Sequence, residues 1–265
     1  MPAVPQVAVF DTAFFSDLPA RSYVYPLPYE WYSEWGIRRF GFHGISHDYC
    51  SRRAAELNQG RVTPNLIICH LGNGCSATAV RDGKPMATTM GFTPLEGLMM
   101  GSRPGSIDPG ILVYLQRNKG LTAERVDDAL NNGSGLLGVS GISWSFREVE
   151  QAAREGNERA RLALDIYADR VRAAIGSLAV TLGAVDALIF TGGVGENSAS
   201  LRAAVCDGLQ CLGIHIDPER SRLGRGDTNI AAANSRTAIW IVHTQEEFMI
   251  AREAQRVVGA SRSAP

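Results

Sequence analysis

The stretch that constrains the fold most is an apolar run followed at once by a glycine turn, Asn65-Leu-Ile-Ile-Cys-His70-Leu-Gly-Asn-Gly74. The isoleucine-rich run predicts a buried strand, and the turn is predicted because asparagine and glycine tolerate positive φ. A second apolar stretch, 75–80, follows directly, so the pattern predicts a β-hairpin. Glycine at its tip leaves backbone N–H groups uncovered and suits a phosphate, but taken alone an Asn-Gly turn favours a plain hairpin.

The composition excludes several classes of protein. The 265 residues are 45% apolar, which is enough for one large domain or two smaller ones. The net charge of −1 gives no basic excess for nucleic acid or an anionic membrane. Five scattered cysteines without a Cys-x-x-Cys motif argue against a disulfide framework or a structural zinc site. The sequence shows neither a membrane-spanning run nor a signal-peptide pattern, so we expect a cytoplasmic location without nucleic-acid or membrane partners.

The first sixty residues predict a strand, an aromatic connection and a helix. Residues 4–11 form an apolar run that ends in the carboxylate of Asp11, and 12–35 combine prolines and aromatic residues, which predicts a connection with a short helix at its end. Ser46 is the expected N-cap of a helix that runs to about Asn58 and stops at Gly60. His43 precedes this helix and His47 lies on it; their spacing allows a metal pair, but no third ligand is near, so a packed role is favoured.

The middle of the chain predicts mainly helices. Thr93 and Pro94 form a typical helix start, and the loop that follows carries Arg103, either a surface arginine or one aimed at a phosphoryl group. Further helices are predicted near 108–118 and 122–131. A glycine-punctuated segment at 134–142 then leads to a short helix that begins with residues 146–148. Residues 157–182 predict the longest helix, whose apolar stripe belongs to the core or to an oligomer interface.

The last third has the layout of a nucleotide site. Residues 187–190 predict a buried strand, 191–198 a glycine turn, and Ser198 caps a helix expected to reach about Leu212. The glycines match neither the dinucleotide-binding fingerprint nor a Walker loop, so an NAD-dependent oxidoreductase is disfavoured. A strand at 238–242, a helix at about 245–258 and a polar tail at 259–265 complete the chain.

Taken together and in order, these motifs resemble the acetate kinase family of acyl-phosphate-forming kinases. The resemblance implies an α/β fold of the actin-like ATPase (ribonuclease H-like) class and covers nearly the whole chain. The matching segments are Phe10-Asp-Thr-Ala-Phe14, Gly41-Phe-His-Gly-Ile-Ser-His47, His70-Leu-Gly-Asn-Gly74, Met90-Gly-Phe-Thr-Pro-Leu-Glu-Gly97, Ser102-Arg-Pro-Gly-Ser-Ile-Asp-Pro109, Gly192-Gly-Val-Gly-Glu-Asn197 and Thr244-Gln-Glu-Glu247.

The resemblance also implies site roles, with ATP or ADP and a small carboxylate as substrates and Mg²⁺ as the metal. The catalytic residues would be Asp11, beside the phosphoryl group and its metal, and the transition-state stabilisers His43 and Arg103. Glu246 resembles the magnesium-linked glutamate, and Phe42 and Pro94 resemble walls of the acetate pocket. The implied nucleotide-binding residues are His70, Leu71, Gly72, Asn73, Gly74, Ser145, Phe146, Arg147, Gly193, Val194, Gly195, Glu196 and Asn197.

Two departures from the family pattern shape the expectations. The adenosine-contacting segment Ser-x-Asp-Phe-Arg-Asp reads Ser143-Trp-Ser145-Phe-Arg147-Glu148 here, so a carboxylate has become a serine. The family's opening Ser-rich phosphate loop has no match in 1–265. We therefore expect 1–14 to be a remnant of a first lobe, 15–244 a second, nucleotide-binding lobe, and 245–265 a helix returning to the first lobe plus a tail. Strand 4–11 would then lack neighbours and hold Asp11 poorly.

Several functions stay open at this stage. The chain could be the C-terminal part of an acetate kinase, with a separate polypeptide supplying the first lobe, or a propionate or butyrate kinase fragment. It could also be a catalytically inactive nucleotide-binding or dimerising remnant. The family resemblance implies a homodimer, and by itself the chain is expected to have little or no kinase activity, because in-line transfer needs substrates clamped between two lobes.

Overall fold

A six-stranded mixed sheet organises the chain. The computed structural model describes residues 4–57 and 65–262. In this part of the chain the spatial order of the strands is β3-β2-β1-β4-β6-β5. The strands are β1 (Asn65–Leu71), β2 (Cys75–Arg81), β3 (Lys84–Thr88), β4 (Ala187–Thr191), β5 (Thr228–Asn229) and β6 (Ala238–Ile241).

The sheet is parallel at its centre and antiparallel at both sides. β1 pairs with β4 and β4 with β6 in parallel, whereas β2, β3 and β5 join by antiparallel pairing. The predicted hairpin is confirmed, and its register places His70 opposite Ser76. Because β1, β4 and β6 run the same way, their carboxyl ends meet at one edge of the sheet. Ligands of open α/β sheets bind outside such an edge.

Helices cover both faces of the sheet, which confirms the predicted α/β class. The helices in the described residues are α1 (Ala20–Tyr23), α2 (Tyr29–Ser33), α3 (Gly44–Leu57), α4 (Gly110–Lys119), α5 (Ala123–Asn132), α6 (Gly135–Ser140), α7 (Phe146–Arg154), α8 (Glu158–Leu182), α9 (Gly192–Asn197), α10 (Ala199–Cys206), α11 (Pro218–Leu223) and α12 (Glu246–Arg262). None of them is long and apolar enough to cross a membrane.

The alternation of side chains along β1 divides the core into two parts. Ile67, Cys69 and Leu71 belong to the larger apolar cluster, which includes the buried stripe of α8. Leu66 and Ile68 belong to the smaller cluster, together with Cys50 and Ala54 of α3. Because successive side chains of a strand point to opposite faces, His70 lies on the same face of β1 as Leu66 and Ile68, and its ring faces α3.

The first part of the chain departs from prediction at three places. Residues 4–10 form no strand, because no described strand lies beside them to share hydrogen bonds. α3 begins at Gly44, so Ser46 lies inside the helix and does not cap it. Residues 93–98 form turns instead of a helix, since Gly97 has a φ of +107° and packs against the Thr89 carbonyl.

The later part also differs from the expected elements. The glycine turn after β4 is the short helix α9, and the glycine-punctuated segment before Gly141 contains α6. Ser198 caps α10 as predicted, but that helix ends at Cys206, shortly before Gly208 with a φ of +91°. α12 continues to Arg262. The predicted helix stop at Asn58 and Gly60 lies outside the described residues.

Candidate active site

Most of the functional residues predicted from sequence gather at the carboxyl edge of the three parallel strands. β1 leads into the glycine turn of the hairpin, β4 into α9, and β6 into Thr244 and Glu246 at the start of α12. His70 and Thr191, at the ends of β1 and β4, are direct partners across the sheet. The topology therefore brings segments that lie far apart in the sequence to one edge.

Asp11 is held firmly at the amino end of α3. Its Oδ2 accepts a hydrogen bond of 2.5 Å from the backbone N–H of His43, and its Oδ1 accepts one of 3.3 Å from Ile45. Its carbonyl oxygen accepts a third bond of 2.8 Å, from Gly44. A carboxylate at this place accepts hydrogen bonds from the free N–H groups of the first helical turn, and the helix dipole stabilises its negative charge. The expectation that Asp11 is poorly positioned without a strand is therefore wrong.

His43 adopts a strained backbone that turns its ring toward the hairpin. Its φ is +59°, in the left-handed region that a residue other than glycine adopts at a cost of about 1–3 kcal/mol. The ring stacks on His70 with 4.3 Å between centroids, and its Nδ1 lies 2.9 Å from Ser76 Oγ. Burial and the nearby Arg103 guanidinium lower the pKa of His43 to about 4, so the ring is neutral at pH 7.

The Arg103 guanidinium also lies beside Gly74 of the hairpin. Its Nη1 donates a 2.8 Å hydrogen bond to the carbonyl oxygen of Pro94. Its Nη2 and the Nε2 of His43 each lie 3.0 Å from the place where a Cβ on Gly74 would be. Only a glycine leaves this point open. The three predicted catalytic residues are thus brought together, with Pro94 as the support of the arginine.

The hairpin is buried where β1 ends, at His70 and Leu71, and exposed at its tip, at Asn73. Nδ1 of His70 lies 2.8 Å from Ser46 Oγ, and burial, with His43 nearby, lowers the pKa of His70 to about 3. Leu71 is buried in the core, whereas Asn73 is exposed and its carbonyl accepts a 3.0 Å hydrogen bond from Gly101. The hairpin therefore carries the loop before Arg103.

The short helix α9 packs beside the hairpin. Gly195 packs against Leu71 and Val194 against the core, while Gly193 faces open space and Asn197 donates to the Gly193 carbonyl. Glu196 holds the local structure: its Oε1 accepts from the N–H groups of Gly192 at 3.0 Å and Thr244 at 3.2 Å, and its Oε2 lies 2.6 Å from His243 Nδ1. This carboxylate is therefore committed to protein partners.

Glu246 lies half-buried on the first turn of α12. Burial raises its pKa, and the carboxylates of Asp11 and Glu196 raise it further. A cation placed here would relieve that repulsion. Within the described residues, however, no three His, Cys, Asp or Glu side chains are close enough to form a metal cage. The donors fit Mg²⁺, which keeps several waters and takes one or two carboxylates together with phosphate oxygens.

The remaining predicted residues differ in accessibility. Arg147 is exposed at the start of α7, next to Ser145, which precedes the helix. The Phe146 side chain is buried against Tyr167, with ring centroids 5.4 Å apart, so only its backbone can meet a ligand. Phe42 is half-buried and packs against the main core.

Four residues of this region were missed by sequence reasoning. Ser46, Ser76 and Thr244 form hydrogen bonds around the histidines, and buried Arg202 donates to the carbonyls of Gly195 and Glu196. Ser76 could have been found, because strand alternation places it on the same face as its partner His70. Arg202 gave no signal, since an arginine on an amphipathic helix is normally exposed.

Comparisons of sequence identify the relatives of this chain. The acetokinase family, by its sequence profile, matches residues 1–252. An acetate kinase of Gloeobacter violaceus is 58% identical over 253 residues, which are 95% of this chain and 62% of that protein. An acetate kinase of Dictyoglomus turgidum is 51% identical over 261 residues, covering 98% of this chain and 64% of the relative. The chain therefore spans about three fifths of the length of its curated relatives.

Comparisons of structure give the same result. The crystal structure of Porphyromonas gingivalis acetate kinase superposes with a TM-score of 0.91 at 43% identity, over 94% of this chain and 63% of the other. A propionate kinase from Francisella tularensis superposes with a TM-score of 0.90 at 44% identity, over 95% of this chain and 64% of that one. These matches confirm the actin-like ATPase fold class, and the chain belongs to the acetokinase family.

Proposed function

We propose that this chain supplies the nucleotide-binding and phosphoryl-stabilising part of an acyl kinase, which converts acetate and ATP to acetyl phosphate and ADP. The observation that carries the proposal is the convergence of His43 Nε2 and Arg103 Nη2 above Gly74. Phosphoryl transfer is catalysed mainly by positioning and by stabilising charge on the equatorial oxygens. An arginine and a neutral imidazole aimed at one point suit that task.

The transfer itself needs little covalent chemistry from the protein. A carboxylate oxygen of the substrate attacks the γ-phosphorus of ATP, the bond to the β,γ-bridging oxygen breaks, and ADP leaves with that electron pair. Arg103 contributes positive charge, whereas His43, with a pKa of about 4, contributes a hydrogen bond as a neutral ring. Glu246, with Asp11 nearby, would hold hydrated Mg²⁺, which screens the phosphate charge when bound.

The division into lobes and the ligand contacts of the site residues are part of the same proposal. Residues 15–244 would form the nucleotide lobe, with 1–14 and 245–265 attached to a first lobe. The hairpin 70–74, α9 and the exposed Arg147 would contact the nucleotide, and Phe42 and Pro94 would border the acyl pocket. The Asp-to-Ser difference at Ser145 would alter the adenosine contact. A cytoplasmic location is consistent with this substrate class.

The identity of the carboxylic acid that accepts the phosphoryl group is a separate part of the proposal. A propionate kinase matches this chain as well as an acetate kinase does in TM-score and identity, so propionate is the second candidate, with butyrate a further one. The substrates can be separated by assay in a chimera that joins this chain to the remainder of the Gloeobacter violaceus relative.

We expect the chimera to phosphorylate acetate and to lose turnover in Arg103→Ala, while the 265-residue chain alone shows little activity. A higher kcat/KM with propionate would reassign the substrate. If the folded chimera binds ADP but transfers no phosphoryl group to any of the three acids, the non-catalytic alternative is correct.

A further inference from the structure

A buried hydroxyl joins two histidines of the site. Ser76 Oγ lies 2.9 Å from Nδ1 of His43 and 2.7 Å from Nε2 of His47, and Ser76 and His47 are both fully buried. A serine hydroxyl has one hydrogen and two acceptor lone pairs, so it can donate to only one of the two imidazoles. Accepting from both would leave its buried O–H without a partner, so the favoured arrangement donates to one ring and accepts from the other. The direction of these two hydrogen bonds therefore decides which nitrogen of His43 carries its proton.

His47 sets that direction. Burial, with His70 and His43 nearby, lowers its pKa well below 6.5, so the ring is neutral and has a single N–H. Its Nδ1 is buried and has no hydrogen-bond partner among the described residues. A buried N–H without an acceptor is rarer and more costly than an unpaired acceptor. The proton therefore lies on Nε2, from where it is donated to Ser76 Oγ.

The consequence for His43 follows from the count of hydrogens. Since Ser76 accepts from His47, its own hydrogen is free to be donated to Nδ1 of His43. A neutral ring that accepts at Nδ1 carries its proton on Nε2. This is the nitrogen that lies 3.0 Å from the Gly74 Cβ position, together with Nη2 of Arg103. Both groups then present N–H donors to the same point.

His70 shows the same arrangement independently. Thr244 Oγ1 donates to Ser46 Oγ at 3.0 Å, which leaves the Ser46 hydrogen free for Nδ1 of His70 at 2.8 Å. The Nε2 of His70 is then also the protonated nitrogen, on the side of Gly72. The stacked rings of His43 and His70 therefore have the same tautomer, with Nε2 as the hydrogen-bond donor in both.

We propose that Ser76 and His47 are positioning residues that fix His43 as the Nε2–H tautomer, so that it donates to the transferred phosphoryl group beside Arg103. The catalytic meaning of this tautomer rests on the proposed kinase function, whereas the tautomer itself does not. Ser76 and His47 touch no substrate in this account; they act through His43. Phe15 supports the arrangement by packing edge-on against His47, with ring centroids 5.9 Å apart.

The test is long-range ¹H–¹⁵N correlation spectroscopy of the 265-residue chain with ¹⁵N-labelled histidine, at pH 7. The five histidines are assigned by single substitutions, and each nitrogen is read as protonated or unprotonated. We expect protonated Nε2 and unprotonated Nδ1 for His43 and His47. In Ser76→Ala, His43 should move toward a mixture of tautomers. Ser51→Ala, which removes a different buried hydroxyl, one on α3, should leave the His43 signals unchanged.

Two results would overturn the proposal: a protonated Nδ1 on His43 in the unmodified chain, or an unchanged His43 tautomer in Ser76→Ala. The first needs no variant, so it holds even where Ser76→Ala fails to fold. In the active chimera, Ser76→Ala should lower kcat about tenfold, as expected for one lost hydrogen bond of about 1.4 kcal/mol, with the KM for ATP nearly unchanged. An inactive chimera with the expected spectra would contradict the kinase proposal and leave the tautomer standing.

Discussion

At the scale of single residues, the proposed site rests on two nitrogens, Arg103 Nη2 and His43 Nε2, that converge above Gly74. Arg103 is oriented by the Pro94 carbonyl and His43 by a left-handed backbone, and neither restraint comes from the other. The residues are therefore placed before any ligand binds, which is how preorganised electrostatic stabilisation works. This separation lets each contribution be tested by a single substitution.

We predict that Arg103→Ala in the chimera lowers kcat far more than it lowers nucleotide affinity. An arginine that stabilises transition-state charge contributes on the order of 10³–10⁵ in rate. Steady-state kinetics combined with ADP titration measures both quantities. Arg147→Ala is the matched comparison, because its exposed guanidinium is expected to affect nucleotide affinity. A large loss of ADP affinity with unchanged kcat in Arg103→Ala would reassign that residue to ground-state binding.

We predict that Gly74→Ala also lowers kcat, because the new methyl group would lie 3.0 Å from His43 Nε2 and Arg103 Nη2 and displace both nitrogens. The two nitrogens would have to shift by a few tenths of an ångström. Since a misplacement of about 1 Å can cost about 10² in rate, we expect a loss smaller than that. Gly176→Ala on α8 is the control, since nothing lies within 4 Å of its Cβ position. Equal rates for both variants would show that the space above Gly74 is not where the phosphoryl group is stabilised.

At the scale of elements, three histidines couple acid stability to the site: His43 just before α3, His47 on α3 and His70 on β1. His43, His47 and His70 all have pKa values below 6.5, mainly because of burial. In the unfolded chain they titrate near 6.5, so the unfolded state binds more protons as the pH falls below that value. Stability is therefore complete above pH 6.5 and decreases toward acid.

We predict a fall in the free energy of unfolding of up to about 4 kcal/mol per pH unit, or about 1.4 for each histidine, between about pH 6 and pH 5. Urea unfolding at a series of pH values measures this slope. His70→Asn should reduce it by about one third. A stability that stays flat across this range would mean that the three rings are not held neutral in the folded state.

Sequence patterns predicted those elements whose periodicity is strong. The hairpin of β1 and β2, the α8 helix and β4 were found because apolar runs and the 3.6-residue stripe leave little choice. Residues 4–10 and 93–98 were assigned wrongly, because local propensity cannot tell whether a strand has a partner or where a glycine takes a positive φ. The predicted catalytic residues do meet, but the contacts of Ser76 with His43 and of Arg202 with α9 depend on tertiary packing.

At the scale of the whole molecule, apolar surface remains outside the two core clusters. On α8, Val180 is 83% and Leu162 is 52% exposed, and in the aromatic segment Tyr29 and Trp35 are 67% and 63% exposed. Contiguous exposed apolar patches mark interaction surfaces, whereas single exposed residues are common, and symmetric dimers are the commonest assembly. These residues support the expected homodimer.

We predict a dimeric mass in sedimentation equilibrium at micromolar concentration. Val180→Asp should weaken the dimer, because a charge on an apolar contact is left without solvation. Leu223→Asp on α11 is the matched control: it changes a residue that is 63% exposed but lies outside the proposed surface. A monomeric mass for the unmodified chain at this concentration would contradict the proposal.

Calorimetric titration of the 265-residue chain with ADP and Mg²⁺ tests directly whether this edge of the sheet binds a nucleotide. We predict one nucleotide per chain, with a Kd between about 1 μM and 1 mM, the usual range of KM for enzyme substrates. Gly193→Trp should abolish binding by filling the open space in front of α9, whereas Arg103→Ala should retain it. Saturable binding unaffected by Gly193→Trp, or no binding to the folded chain, would contradict a nucleotide site at this edge of the sheet.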